Sequence, residues 1–350
     1  MKSGGFANSA LLAATFFVFL ASSGPSLAAD APVSLMAVEA PPQTALSSHV
    51  LEAASAYRAY MRKAAATPSK FKSGHEIETS LADGAAYEPG QLSRGAVAFA
   101  ALVALQDPAF VAGVRQYGVR PVDRKDLADK IIANPGYATV MPGAAGAASL
   151  IQAALGAEGS KVQTQGKAIT QAARDIQLQA KWSKEPVKDR PARLAHAKTA
   201  SAAPMAASDS DLIELRTAIS GSDASSVSLV DRASAQPIAP PYSAFVTRAL
   251  AVAAIAALGQ GGDDNDAAVQ SLLDESSGSF CLNMSKLNLY QCLAVAKPWY
   301  EDMFCLGQHV LADTGQCIAE AAGTPATPTV PAAATTSAPT TTTVAANSGR

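Results

Sequence analysis

Four cysteines, Cys281, Cys292, Cys305 and Cys317, fall within one 37-residue stretch and constrain this chain more than any other feature. Four cysteines allow three pairings. Pro298 interrupts the stretch between two helical patterns, roughly 286–296 and 299–311. Folding these antiparallel sets Cys292 opposite Cys305 and Cys281 opposite Cys317, and the midpoints of the two pairs, 298.5 and 299, nearly coincide. Nested bridges closing both ends of a helical hairpin are therefore expected. The local pairing, Cys281–Cys292 with Cys305–Cys317, stays open because both of its loops are about a dozen residues. Closing a loop of that size contributes roughly 3 kcal/mol, so a structural role is sufficient explanation for all four.

Cysteines used this way belong in an oxidising compartment, and the start of the chain points to one. Lys2 is followed by an apolar stretch from Ala10 to Ala21, then Gly24, Pro25 and the small residues Ser26-Leu27-Ala28-Ala29. That order is the pattern of a secretory signal peptide over 1–29, cleaved after Ala28 or Ala29. The expected address is periplasmic or secreted.

The rest of the chain reads as helix. It contains 77 alanines against 6% aromatic residues, a balance that favours packed helices over sheets. Its charged fraction is 16%, low against the roughly 25% of ordinary domains. The expected fold is all-α: an irregular helical bundle with a disulfide-linked C-terminal helical hairpin. The expected order is an extended lead-in (30–45), a helical domain (46–185), a linker (186–209), a helical C-terminal region (210–323) and a disordered Thr/Pro/Ala-rich tail (324–350). Within the first domain, 69–90 reads as irregular because Gly74, Gly84, Pro89 and Gly90 punctuate it. A long helix follows Pro142, with an expected break near Gly156 and Gly159. It carries Ala145, Ser149, Ala153 and Ala157 at intervals of four, a small-residue face that admits another helix closely. Pro186, Pro191 and Pro204 mark the linker. Tyr242 to Leu258 is the most apolar segment after the leader, but it has Arg248 near its middle and is short for a bilayer. A packed helix is expected there, and no mature transmembrane segment.

Charge is unevenly placed. Residues 46–204 hold 20 Lys/Arg against 13 Asp/Glu, a surplus of seven positive charges, whereas 205–323 hold 5 against 14, a surplus of nine negative ones. Opposite fields can dock the two halves or present a basic surface to an anionic envelope polymer. Arg190 and Arg193, in the densest basic stretch, are the expected contacts with the acidic half. A net charge of −2, and a single aromatic (Trp182) in that basic stretch, argue against nucleic-acid binding.

Catalytic signals are sparse. Nucleophile-elbow, Walker and dinucleotide motifs are absent, and no cofactor is expected. Glu301, Cys305, His309 and Asp313 recur every four residues, yet span about 18 Å of helix and would lose the thiolate on oxidation, so no metal site is expected. His75-Glu76-Ile77-Glu78 lacks zinc-protease spacing. Glu76 and Glu88 are the candidates for an acid–base pair should the chain act on cell-wall glycan. The leading expectation is an exported helical envelope protein with a structural or protein-interaction role, with envelope proteins or an anionic polymer as partners. A periplasmic glycan hydrolase is one alternative. A carrier of an apolar ligand, with a cavity lined by Val97, Phe99 and Leu102, is the other.

Overall fold

The computed structural model describes residues 42–220, 227–236 and 238–323. The expected leader (1–29), most of the lead-in (30–45) and the expected tail (324–350) lie outside the described residues. Among those described, regular structure is helical apart from two isolated β-bridges, Leu46–Gly261 and Pro186–Pro298. The first helices are α1 (Ser48–Ala65), α2 (Gly74–Ala85), α3 (Pro89–Ala104), α4 (Pro108–Arg115), α5 (Pro121–Ala133) and α6 (Ala144–Gln179). They are followed by α7 (Arg190–Ala202), α8 (Asp209–Ser220), α9 (Ala244–Ala257), α10 (Asp266–Leu273) and α11 (Ser276–Val295). The last helical run is α12 (Trp299–Cys305), a π-helical segment (Leu306–Ala312) and α13 (Asp313–Ala321). The fold is an all-helical, irregular bundle with disulfides joining its C-terminal helices.

Two helices form its centre. Every residue of α3 from Ala96 to Ala104 is at most 1% exposed, and Ala249 to Leu258 are all at 0%. Helices apolar on all sides belong inside, and α3 packs against both α9 and α1. Gly95 permits the α1 crossing, since a Cβ there would stand 2.6 Å from the Ala53 carbonyl oxygen. Tyr57 stacks on Phe99 at 5.6 Å between ring centroids, a geometry contributing about 0.5–1.5 kcal/mol beyond burial. Arg248 leaves the apolar face of α9 and donates to the Ser271 and Leu272 carbonyls, serving the orphaned end of α10. No single helix among the described residues is long and apolar enough to cross a membrane.

Three expectations require correction. The segment 69–90 contains a twelve-residue helix, α2. Ser73 accepts from the Glu76 amide while Glu76 accepts from the Lys72 amide at 2.8 Å, a variant of the S-x-x-E capping box in which the glutamate reaches one residue beyond the cap. Gly74 and Gly84 are there for close approach, to the Trp299 ring and to Val310 respectively. The expected linker contains α7: Pro191 sits in the first turn, where its missing N–H costs nothing, and Asp189 caps the helix. The long helix does not break near Gly156 and Gly159, because α6 runs unbroken for 36 residues.

The opposite charges of the two halves meet as ion pairs. Arg62 grips the fully buried Asp211 with both terminal nitrogens; Arg58 reaches Glu214 at 2.9 Å, and Arg94 reaches Asp274 at 3.4 Å. Arg193 binds Asp302, with side-chain exposures of 2% and 1%. Exposed pairs contribute at most about 1 kcal/mol, so the energetic weight falls on the buried Asp211 and Asp302 contacts.

Candidate functional site: two grooves and an uncharged helix face

The cysteines determine how the C-terminal region is presented. Cys281 is bonded to Cys317 and Cys292 to Cys305, with Cα separations of 5.7 and 5.8 Å. This is the nested arrangement, with α11 held along the α12–α13 run. Arg190 and Arg193 fix the far end of α11. Arg190 donates to the Ala296 and Ala294 carbonyls at 2.7 Å each, and Arg193 donates to Leu293 as well as to Asp302. Guanidinium groups at a helix C-terminus satisfy orphan carbonyls and oppose the dipole. Of the two arginines, only Arg193 meets a carboxylate; both are engaged within the fold.

A similar cap operates inside the molecule. Lys286, 4% exposed, donates to the Ala85 carbonyl at 2.6 Å and lies 3.4 Å over the Tyr87 ring. Tyr60 donates to the Gly84 carbonyl, and the Tyr87 and Thr314 hydroxyls are 2.8 Å apart. These groups serve the buried end of α2. Burial pushes the Lys286 amine well below its ordinary value, but Lys286 lines neither groove described here.

The first groove, about 480 Å³, lies among α1, α3, α10 and the α7–α8 connection, with His49, Glu52, Glu88, Gln91, Arg94 and Gln270 on its walls. His49 Nδ1 lies 2.8 Å from Asp266 Oδ2. Burial raises the Asp266 carboxyl, but hydrogen bonds from Ser47, Gln270 and His49 outweigh it and hold the group below the usual range. Glu88 is in this groove and Glu76 is not. Both Glu88 oxygens are occupied, accepting from the Gly90 and Gln91 amides at 2.8 and 2.6 Å. Glu76 likewise accepts from a backbone amide. The structure thus does not bring the expected acid–base pair together, and each member is in use at a helix start. Glu88→Ala is expected to lower stability by about 1 kcal/mol, the usual cost of a lost cap, read from the midpoint of urea unfolding. An unchanged midpoint together with lost release of fragments from purified cell-wall glycan would support the hydrolase instead.

The residues named for an apolar cavity, and those of the stripe set aside as a metal site, are equally occupied. Val97, Phe99 and Leu102 are at most 1% exposed in the core. Cys305 is a disulfide partner, and His309 pairs with Asp313 at 2.8 Å.

The second groove, about 300 Å³, is apolar. It runs between the end of α6 (Ala173, Arg174, Gln177), the end of α11 (Cys292, Val295, Ala296) and α12 (Tyr300, Glu301, Phe304). It adjoins a feature that sequence reasoning missed. Helix α11 has one charged residue in twenty, Lys286, and that one is buried. Its outer face exposes Phe280 (67%), Met284 (39%), Leu287 (45%) and Val295 (72%), with Asn283, Gln291 and Ala294 beside them. The exposed Tyr117, Val119 and Val122 near α5 are interleaved with Arg120, Asp123, Arg124 and Lys125. The α11 face has no such solvating charges.

Comparison with protein-family models, with curated proteins and with solved structures found no match.

Proposed function

We propose that this chain is an exported helical envelope protein whose role is structural, through protein contacts made by the outer face of α11. One observation carries this reading: a twenty-residue helix presents four large apolar side chains outward while its only charge is inside. Contiguous exposed apolar surface marks an interaction site more often than scattered apolar residues do. The leader pattern over 1–29 and two disulfides support export, since such bridges persist outside the cytosol. The grooves support catalysis less well, because the carboxylates nominated for it already serve backbone amides.

Cell fractionation with site-specific photo-crosslinking tests the proposal. Expected are a leaderless, fully oxidised product in the envelope fraction, and covalent adducts from a photoreactive residue at position 284 but not at Lys161, exposed on α6. A cytosolic product with its leader intact and four reduced cysteines would overturn the export reading. Equal or absent adducts at both positions would overturn the contact-surface reading.

A further inference from the structure

Helix α6 and the last helical run lie antiparallel. Gly159 faces Gly315 and Gly166 faces Gly307, so one number rises as the other falls. Where the backbones touch, the flanking side chains stand up as the walls of a valley. On α6 that wall is Gln163, Lys167, Thr170, Arg174 and Gln177, at intervals of four, three, four and three residues, hence one stripe about 21 Å long. Two grooves lie along it. The apolar one, of about 300 Å³, takes in Arg174 and Gln177. The other, of about 270 Å³, takes in Gln163, Lys167, Thr170 and again Arg174, with Gln308 and Gln316 opposite.

The two differ in chemistry. The apolar groove is built from Ala173, Cys292, Val295, Ala296, Tyr300 and Phe304. The polar one has amides, a hydroxyl, Lys167 and Arg174 on its walls, and no carboxylate. At their boundary Arg174 is exposed and has no hydrogen bond or ion pair with any described residue. The neighbouring acids are engaged elsewhere. Asp175 accepts from Gln171 at 3.1 Å, and Glu301 accepts from the Lys297 amide at 2.7 Å and the Tyr300 hydroxyl at 3.4 Å.

We propose that this valley binds a fatty acid, with the acyl chain along the apolar groove and the carboxylate on Arg174 at the boundary with the polar one. Charge and lining together select that occupant. Lys167 and Arg174 give the polar half a positive potential that complements one carboxylate, and a guanidinium receives a carboxylate through two parallel hydrogen bonds. Glu301, on the wall of the apolar half, disfavours the reversed orientation. An acyl chain has no amides to satisfy, whereas a peptide laid against these apolar walls would strand most of its own. The volume of the apolar groove is at the lower end of ligand sites, which suits one acyl chain and not the pair of a diacyl lipid. The inference is separate from the reading of α11 as a contact surface, because it uses the inner margin of Val295 and none of Phe280, Met284 or Leu287.

Titration calorimetry of the exported, oxidised chain with laurate, below its micellar concentration and at neutral pH, tests this. One site is expected. Decanoate, shorter by two methylenes, is expected to bind at least about threefold more weakly. Arg174→Gln is expected to lower laurate affinity about fivefold to tenfold, the loss of a bidentate charged contact, and to leave the affinity for decanol unchanged. Val295→Asp is expected to weaken laurate and decanol alike. Both variants should unfold thermally as the wild type does, because both side chains are exposed. Lys297 is exposed near Glu301 but walls neither groove, so Lys297→Gln is expected to change nothing. Absence of laurate binding, or binding indifferent to Val295→Asp, overturns the site. Decanol binding as tightly as decanoate, or laurate affinity unmoved by Arg174→Gln, overturns the role of Arg174. Loss on Lys297→Gln in place of Arg174→Gln overturns the orientation. Lysophosphatidylglycerol binding at least about tenfold tighter than laurate overturns the carboxylate as the recognised head group.

Discussion

Replacing Arg193 with alanine is expected to cost about 3–5 kcal/mol at neutral pH, the usual penalty for leaving a buried charge without its partner. Whole domains have only about 5–15 kcal/mol to lose. The guanidinium joins three elements, binding Asp302 at the start of α12 and the Leu293 carbonyl at the end of α11 from its place on α7. Burial pushes the Asp302 carboxyl up from its ordinary 3.8 to about 6, while Arg193 pulls it down without cancelling the effect. A carboxyl raised on folding binds more protons in the native state. Its contribution is therefore fully present below about pH 4 and lost as pH rises through about 6. In the absence of Arg193, uptake of a proton neutralises the buried Asp302. The cost of Arg193→Ala is accordingly expected to shrink on acidification, and urea unfolding at pH 7.5 and 4.5 measures the difference. An equal cost at both values would mean that packing, rather than the stranded carboxylate, dominates. Replacing both partners with apolar residues, Arg193→Met with Asp302→Leu, is expected to recover much of the loss, since buried pairs gain little over a packed hydrophobic core.

Sequence and structure part company where a residue has more than one reason to be there. The apolar run from Tyr242 to Leu258 and the helical pattern after Pro142 located α9 and α6, and proline at 298 divided the cysteine-bearing hairpin in the place where the chain turns. Glycine and proline misled. Gly74 and Gly84 read as punctuation, but in α2 they admit Trp299 and Val310, partners more than 200 residues away that no local pattern announces. Pro191 read as a breaker, although Asp189 two residues earlier is the signal of a capped start. The S-x-x-E pattern at Ser73–Glu76 was likewise available. Glu76 drew attention as an acid, and its use as a cap explains why a carboxylate stands there. The outer face of α11 was hidden for a different reason: the helix is apolar on both sides, and periodicity cannot say which side a disulfide turns inward.

The glycines of α6 give the second large effect. Gly159 and Gly166 on α6 face Gly315 and Gly307 on the last helical run, so the two backbones touch with no side chain between them. A Cβ on Gly166 would meet the Gly307 carbonyl and stand 2.5 Å from the Ala312 amide nitrogen; one on Gly307 would lie 2.7 Å from the Gly166 carbonyl oxygen. Two terms oppose each other in Gly166→Ala. Helix propensity favours alanine by about 1 kcal/mol, whereas forcing a methyl into a packed contact costs about 1–3 kcal/mol or more. The obstacle here is backbone, which cannot swing aside as a side-chain tip can. The last helical run is also tied to α11 by Cys281–Cys317 and Cys292–Cys305, which restricts its retreat. Overpacking is therefore expected to win: Gly166→Ala lowers stability by about 2 kcal/mol, and Gly166→Leu yields no folded protein at 37 °C. Gly146→Ala, on the exposed side of the same helix, puts its Cβ hard against Asp107 Oδ2. That oxygen is a side-chain end that can swing aside while Oδ1 keeps its bond to the Phe110 amide, so the variant is expected to stay within about 1 kcal/mol of wild type. A rise in unfolding temperature for Gly166→Ala would show that propensity prevails and that the two helices can separate. The same contact bears on the function proposed for α11, because α6 supports the run that holds it. A seam that spreads would move the wall of the apolar groove as well, so Gly166→Ala is also expected to weaken any partner seated beside Val295, whereas Gly146→Ala should not.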